Sequence, residues 1–559
     1  MNNIIQDLKR IINQRIYVIC VTITAIMSYG FAVCQPMIGV DDSAIGRYFA
    51  DGIGPIMGRF GYFLLNKICP VAEYTPFITD FIGVLLLALG SALWCLVWEK
   101  AMGKKLSVMA TTVFSCVMIS CPMISEVFTY YLHNGISICY CLSALFILYF
   151  MKAVEAKGKA RVLCVVTTLG LLWLSNSFME SFSIVFLMGI VMVWVLQCVY
   201  KVRKITPKAV VTEGLIAGAL LALSIVLRSV AIEVVTVVFS LQDQIGIMNR
   251  RSILEALDWF KSSQGLAEFV MTIKQYIVMY YVNAIAYIPV RIYLIAVVSY
   301  GVWAVYRLVR FRQIVPLLGA AAMQIVPLIL VFLEGHATFY RNSQYVPIYV
   351  AYVAMLFTCL VEHWSVAEKG FFTKIKKKNV LAVWGIVIGI LVYNQAYEMT
   401  QWFYVDYMKY EDAIRTVNLI SYELEKNYDT EKPVVFVGNY TIPKHIIDKM
   451  CVEYDSDTYR MIGSILDIMD PNLKSCFVIQ DSYSLSSEAM YSVLTWGNIA
   501  FEGWDKETHE FFAIHGHAFN RIMDPKQCRE IQARYLELPG WPENGSIFET
   551  EEYIVVKFG

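Results

Sequence analysis

The chain is long and unusually apolar. It has 559 residues, of which 58% are hydrophobic and 16% charged, and its formal net charge is zero. Soluble domains carry about 25% charged residues, so this composition excludes a single water-soluble core and indicates a membrane protein. Zero net charge also argues against a nucleic-acid partner, because that would require a basic surface.

Apolar segments long enough to cross a bilayer follow one another from the N-terminus to residue 400. A spanning helix needs roughly 20 apolar residues. The sequence predicts about eleven spans, at 16–33, 77–98, 106–124, 135–151, 161–176, 181–199, 209–239, 276–305, 314–333, 344–362 and 380–400. Residues 1–400 are therefore predicted to be a polytopic α-helical membrane domain.

The basic residues predict the orientation of these spans. If the N-terminus is cytoplasmic, every inner loop contains Lys or Arg, whereas two of the five outer loops contain neither. Cytoplasmic loops carry the excess of basic residues in membrane proteins. We therefore expect a multi-pass plasma-membrane protein with a cytoplasmic N-terminus and an extracytoplasmic C-terminus.

Residues 401–559 differ in composition from the rest of the chain, because they are charged and rich in turns. Helix-like stretches alternate with short strand-like runs. The helical stretches are 406–426, 486–496 and 527–536, and the strand-like runs are 434–437, 476–479 and 553–558. This alternation predicts a C-terminal soluble α/β domain on the outer face.

Two long outer loops, 34–76 and 240–275, are the first places to look for a site. Asp41 and Asp42 follow the first span directly, at the bilayer surface. One of them could act as a general base with a pKa raised by its neighbour and by lipid, or both could hold a divalent cation such as Mg²⁺ or Mn²⁺. Alternatively, Asp42 caps an interfacial helix and Asp41 is simply solvated.

A short amphipathic stretch follows in the same loop. In Gly58-Arg59-Phe60, the arginine precedes Phe63 and Leu64, which would share a helical face with Phe60. We expect a helix in the headgroup plane that holds Arg59 at phosphate depth, where a guanidinium suits phosphate geometry. The alternative is an arginine that reaches to bulk lipid headgroups.

Further ionisable residues are predicted on the same outer side. Each is individually explained by a structural role, but ionisable groups at a membrane edge are costly, so their shared side indicates an outward-facing polar chamber. These candidates are Glu126, His133, Glu180, Glu334, His336 and Arg341. Arg228 and Glu233, toward the outer end of the seventh span, are interpreted as an ordinary ion pair.

The order of these motifs resembles that of a known family. The matching segments are Asp41-Asp42, Arg47, Gly58-Arg59-Phe60, Leu64-Leu65, Glu126-Val127-Phe128 and the C-terminal Leu538-Pro539-Gly540-Trp541. They are similar to the bacterial serotype-converting glucosyltransferases of O-antigen, which are membrane glycosyltransferases of the GT-C class. The chain departs from that pattern at Ser175-Asn176-Ser177-Phe178, where a Tyr-Gln-Ser type sequence is expected.

The resemblance implies a hexosyltransferase, most simply a glucosyltransferase, with a GT-C-like fold. Its donor would be a polyprenyl-phosphate sugar in the membrane lipid, and its acceptor a cell-surface polysaccharide or lipid-linked glycan. The leaving phosphate needs cationic stabilisation, for which Arg47, Arg59 and Arg341 are candidates. Asp41 or Asp42 would be the base, and one base opposite one leaving phosphate makes an inverting displacement the simpler mechanism.

Two other classes of function remain open on the sequence. A transporter or flippase of lipid-linked saccharide would favour ionisable residues near the bilayer midplane and paired broken helices. A non-enzymatic scaffold, or another lipid-linked group transferase such as one moving phosphoethanolamine, is the third possibility. The latter normally needs an outer domain with a nucleophile and a metal-ligand cluster.

Overall fold

The computed structural model describes residues 2–35, 58–68, 77–129, 133–240, 253–338, 340–364, 377–447, 457–477, 492–498 and 504–559. This part of the chain is mostly helical. Asp41, Asp42 and Arg47 lie outside the described residues, so the prediction of an acidic pair at the outer surface stays a prediction.

The described part of the N-terminal half is a succession of helices. They are α1 (Asn2–Ile12), α2 (Arg15–Cys34), α3 (Phe60–Ile68), α4 (Ile78–Met102), α5 (Val108–Ile119), α6 (His133–Glu155), α7 (Gly158–Phe178), α8 (Phe182–Val199) and α9 (Pro207–Val238). The remaining helices of the bundle are α10 (Ile253–Lys261), α11 (Gly265–Tyr280), α12 (Ile288–Phe311), α13 (Val315–Ile325), α14 (Leu328–Glu334), α15 (Val346–Trp364) and α16 (Lys377–Asn427).

Long apolar helices confirm the prediction of a polytopic helical protein. Within the described residues, ten helical segments are long and apolar enough to cross a membrane, and α5 is a shorter apolar helix. Helix α5 is shorter than the predicted span 106–124 because a 3-10 helix begins at Pro122. At the end of α5, the Ser120 hydroxyl donates to the Cys116 carbonyl. Proline lacks the N–H that a continuing helix would use.

The predicted span 276–305 is wrong at its start. Residues Gly265–Tyr280 form a separate helix, a 3-10 turn follows at Val282–Ile285, and α12 begins at Ile288. Pro289 occupies the first turn of α12, a position that proline favours. The predicted span 314–333 corresponds to one membrane-length segment, Val315–Glu334, in which a turn at Val326 and Pro327 separates two helices.

Helix α16 joins two elements that the sequence analysis treats separately. It runs without a break from Lys377 to Asn427, and so contains both the predicted span 380–400 and the predicted helix 406–426. At 1.5 Å per residue its 51 residues extend about 75 Å, more than twice the thickness of a hydrocarbon core. A continuous helix therefore connects the bundle with the C-terminal region.

The C-terminal region contains a three-stranded sheet of order β1-β3-β2. Strands β1 (Val434–Val437) and β3 (Ile554–Lys557) are parallel, and β2 (Ile547–Glu549) is antiparallel to β3. The helices among the described residues here are α17 (Lys444–Ile447), α18 (Asp457–Met469), α19 (Pro471–Ser475), α20 (Val493–Gly497), α21 (Lys506–Ile514) and α22 (Pro525–Arg534).

Both faces of this sheet are covered. Val434 and Phe436 pack with Val417 of α16, whereas Val435 and Val437 pack with Ile531 of α22. This explains why β1 is buried along its whole length. The predicted strands 434–437 and 553–558 correspond to β1 and β3. That the region is a separate soluble domain stays a prediction.

Candidate functional site

Helix α3 packs its aromatic side chains into the bundle. Phe60, Tyr62 and Phe63 are buried, whereas Leu64 is 37% exposed. Phe60 contacts Trp173 of α7, with ring centroids 5.6 Å apart. The buried side chains of α3 are therefore Phe60, Tyr62 and Phe63, and not the predicted set of Phe60, Phe63 and Leu64. Tyr62 is buried as well because α3 packs against both α7 and α9 rather than against one flat surface.

The residue before Arg59 is held by an arginine from a distant helix. Arg228 of α9 donates from Nε to the Gly58 carbonyl at 3.0 Å and from Nη2 to Glu180 Oε2 at 3.4 Å. Gly58 has a φ of +82°, and a Cβ there would collide with the Arg228 guanidinium. The sequence predicts an ion pair of Arg228 with Glu233. This prediction is wrong, because Arg228 is paired with Glu180.

Tyr62 lies close to the charged groups of this cluster. Burial raises the pKa of the Tyr62 phenol well above its ordinary value; the Arg59 guanidinium lowers this pKa and the Glu180 carboxylate raises it. The phenol therefore stays protonated near these two charged groups. We call Gly58, Arg59, Tyr62, Glu180 and Arg228 the Arg59 cluster.

The last turn of α7, residues 175–178, packs beside the Arg59 cluster. Asn176 is buried and donates to Ser224 Oγ of α9 at 3.1 Å, while its Oδ1 accepts from Ser183 at 3.1 Å. A Cβ on Gly61 would meet the Ser177 hydroxyl and carbonyl. Small and amide side chains in this turn thus permit close packing of α3, α7 and α9.

A second group of polar residues follows α14, and we call it the Glu334 loop (residues 334–338 and 340–344). Glu334 accepts a hydrogen bond from Asn342 at 3.0 Å, and His336 Nδ1 lies 4.0 Å from its carboxylate. Gln344 donates to the backbone carbonyl of Arg341. The structure therefore brings Glu334 and His336 together and places Arg341 in the same loop.

Buried tyrosines fix the Glu334 loop to the bundle. The Tyr340 hydroxyl donates to the Met279 carbonyl at 2.8 Å and accepts from Asn283 at 2.8 Å. Tyr287 packs against Tyr340 at 5.3 Å and against Trp402 of α16 at 5.8 Å. The loop is thus connected both to α11 and to the helix that leads to the C-terminal region.

The N-terminal part of α6 lies between the two groups. Cys139 donates to the Ser175 carbonyl at 3.5 Å, on the side of the Arg59 cluster. The next residue, Tyr140, donates to Gln344 Oε1 at 2.7 Å, on the side of the Glu334 loop. The structure therefore brings Arg59, Glu180, Glu334, His336 and Arg341 to one end of the bundle, around α6.

Two further candidates are located by their backbone. Glu126 lies in the 3-10 helix Pro122–Thr129, which contacts the 3-10 helix Tyr340–Asn342, and His133 is the first residue of α6. Their side chains are outside the described part. Among the residues that the structure describes, no group of three His, Cys, Asp or Glu side chains could hold a metal ion. A divalent cation at Asp41 and Asp42 stays a prediction.

Sequence reasoning missed two residues at this end of the bundle. Arg228 is absent from its candidate site because Glu233 offered a nearer partner in sequence. Glu398, which is 1% exposed, lies at the end of the predicted span 380–400. The signal for both was available, since each is an ionisable residue near the outer end of a predicted span.

Comparisons with family models, with curated proteins and with solved structures found no match for this chain.

Proposed function

We propose that the chain is a membrane glycosyltransferase that moves a hexose from a polyprenyl-phosphate-linked donor to a cell-surface polysaccharide on the outer face of the membrane. The N-terminus is cytoplasmic, eleven helices cross the bilayer with α5 as the third crossing, and residues after the α16 span are outside. The observation that carries the proposal is the Arg59 cluster. Its two guanidinium groups and one carboxylate belong to Arg59, Arg228 and Glu180. They lie near the start of α3, the end of α7 and the start of α8.

The donor's chemistry explains why such a cluster is useful. A polyprenyl-phosphate sugar diffuses within the bilayer, so its phosphate can meet the protein only at headgroup depth. As the bond between the sugar C1 and the phosphate oxygen breaks, negative charge grows on the phosphate, and a fixed guanidinium stabilises it. Arg59 is the first residue of the cluster that could do so, with Arg47 and Arg341 as further candidates.

The acceptor requires a base on the opposite side of the sugar. In the proposed reaction, an acceptor hydroxyl oxygen attacks C1 while Asp41 or Asp42 takes its proton, and polyprenyl phosphate leaves with the bonding electrons. The result is one new glycosidic bond with inverted configuration. Asp41 and Asp42 precede Gly58 in the same loop, which connects α2 with α3.

The experiment compares surface polysaccharide from cells that express the protein with single variants. Asp41→Asn or Asp42→Asn is expected to lower hexose addition by about 10²-fold or more, because a general base contributes that much. Arg59→Gln is expected to act similarly through the lost phosphate contact. The measurement is the hexose content and mass of the purified glycan, with protein amount determined by immunoblot.

Asp467→Asn is the matched control. This carboxylate lies in the C-terminal region, is 45% exposed and pairs with Lys474 at 2.7 Å. We expect unchanged hexose addition. If both acidic-pair variants kept full activity, the assignment of the base would fail, and if the unsubstituted protein added no sugar while moving lipid-linked saccharide across liposomes, the flippase alternative would replace the proposal.

A further inference from the structure

Arg228 is an unusual residue for its helix. Helix α9 exposes most of its side chains, and its buried residues form one stripe that includes Glu213, Ala217, Leu220 and Ser224. Arg228 continues this stripe one turn further and is 14% exposed. The helix therefore turns its one outer-end arginine toward α3 and α7 rather than toward lipid.

The position of Arg228 along α9 matches the outer headgroup boundary. The helix begins at Pro207, so Arg228 lies about 30 Å along its axis, which is about the thickness of the hydrocarbon core. Glu213 occupies the opposite end of the same stripe, where it pairs with Arg203. The buried stripe of α9 thus carries one arginine–glutamate pair near its start and a second about 22 Å further along the helix.

The contacts of Arg228 act on the backbone just before Arg59. Its Nε–H binds the Gly58 carbonyl at 3.0 Å, and its Nη2 binds Glu180, which neutralises the charge. Because Gly58 adopts a φ of +82° and has no room for a Cβ, the peptide between Gly58 and Arg59 is held in one orientation. The direction in which Arg59 leaves the chain is therefore set by Arg228.

We propose that Arg228 is a positioning residue that orients Arg59 to bind the phosphate of a polyprenyl phosphate. This inference deepens the proposed function and rests on it for the identity of the phosphate. Glu180 balances the charge of Arg228 and the Gly58 carbonyl accepts from its Nε, so in this proposal Arg228 acts through Arg59 rather than on the ligand. Binding of the lipid phosphate and transfer of the sugar can then be measured separately.

The experiment is a double-mutant cycle on ligand binding. The purified full-length protein in detergent is titrated with geranylgeranyl phosphate, and the dissociation constant is measured for the unsubstituted protein, Arg59→Gln, Arg228→Gln and the double variant. Each single variant is expected to weaken binding about tenfold, as for the loss of one charge-assisted hydrogen bond. The double variant is expected to be no weaker than Arg59→Gln alone, because both changes remove the same contact.

Two further variants test the geometry and the specificity of the effect. Arg228→Lys keeps the charge beside Glu180 but lacks the fork that also reaches the Gly58 carbonyl, so it is expected to bind with intermediate affinity. Arg203→Gln removes the ion pair at the other end of α9 and is expected to leave binding unchanged. The thermal unfolding of each unliganded variant is measured first. Binding is then compared at one temperature that lies well below the unfolding transition of every variant.

Each outcome decides the inference. Multiplicative losses in the double variant, unchanged binding by Arg228→Gln, or no binding by the unsubstituted protein would overturn it. If the protein binds the lipid phosphate with the expected non-additivity but transfers no hexose in cells, the inference stands and the proposed transferase function fails. If Arg228→Gln binds normally while Asp42→Asn abolishes transfer, the inference about Arg228 fails and the proposed transferase function stands.

Discussion

At the scale of single residues, a few polar side chains decide how the end of the bundle is arranged. Arg59 and Glu180 are predicted on the same side of the membrane, and both charges act on the buried Tyr62 phenol. The predicted partner of Arg228, Glu233, is wrong, because Arg228 pairs with Glu180. Positions 228 and 233 are five residues apart, which is about 140° around a helix, so their side chains point to different faces. The contact with Glu180 is tertiary and has no signal in local spacing.

Gly58 provides a direct test of the fixed backbone in the Arg59 cluster. Gly58→Ala is expected to destabilise the protein by about 1–3 kcal/mol, because an alanine at a positive φ is strained and its Cβ would displace Arg228. Thermal unfolding in detergent measures the change. Gly218→Ala in α9 is the control, since a Cβ there meets nothing, and it should be neutral or slightly stabilising. Equal effects of the two substitutions would contradict the fixed geometry.

His515 predicts a pH dependence for the C-terminal region. Burial against Tyr410 and Phe511 lowers the pKa of His515, and the nearby His517 lowers it further. The unfolded chain keeps the ordinary pKa near about 6.5. It therefore binds a proton at a higher pH than the folded chain does, so stability is complete above this pH and falls as the pH drops toward the lowered value.

The measurement for His515 is thermal unfolding of the full-length protein between pH 7.5 and pH 5. His515→Phe keeps an aromatic ring in the same packing but cannot titrate, so it is expected to reduce the loss of stability on acidification. His445→Gln, which changes an exposed histidine, should leave that loss unaltered. An unchanged pH profile in His515→Phe would show that other groups cause the acid sensitivity.

At the scale of elements, apolar runs predicted most helices but not their interruptions. The run 276–305 contains one charged residue, Arg291, and is otherwise mostly apolar, so hydropathy alone could not show that α11 ends at Tyr280. The Arg291 side chain caps backbone carbonyls at this interruption, because its guanidinium donates to the carbonyls of Ala284 and Ile285, at 2.8 and 2.5 Å. Conversely, α16 is longer than predicted because the change from apolar to charged residues alters its surroundings and not its propensity.

Gln324 connects two of these interrupted elements. Its Oε1 accepts hydrogen bonds from Tyr281, after α11, at 2.6 Å and from Tyr293 of α12 at 3.2 Å. Gln324→Leu is expected to destabilise the protein by about 2–4 kcal/mol, because two phenol donors lose their acceptor. Thermal unfolding in detergent measures the loss. Adding Tyr281→Phe to Gln324→Leu should recover part of it, and an additive further loss would contradict the assigned hydrogen bond.

At the scale of the whole molecule, composition predicted the class of protein, and the length of its apolar segments predicted most of its spans. They could not place the two groups of polar residues relative to each other. The link runs through Cys139 and Tyr140 of α6, which contact Ser175 and Gln344 respectively, and both contacts join residues distant in sequence. Such contacts follow from packing of the complete bundle, so a single sequence does not specify them in any local pattern.

The central claim is that the acidic pair and Arg59 work on the side of the membrane away from the cytoplasm. A cysteine introduced beside the pair, Ser43→Cys, tests this most directly by reaction with a membrane-impermeant maleimide in intact cells, relative to the unsubstituted protein. Lys201→Cys, after α8, serves as the inner-side control. The account predicts that Ser43→Cys is labelled in intact cells and Lys201→Cys only after permeabilisation. Labelling of Ser43→Cys only after permeabilisation would contradict it.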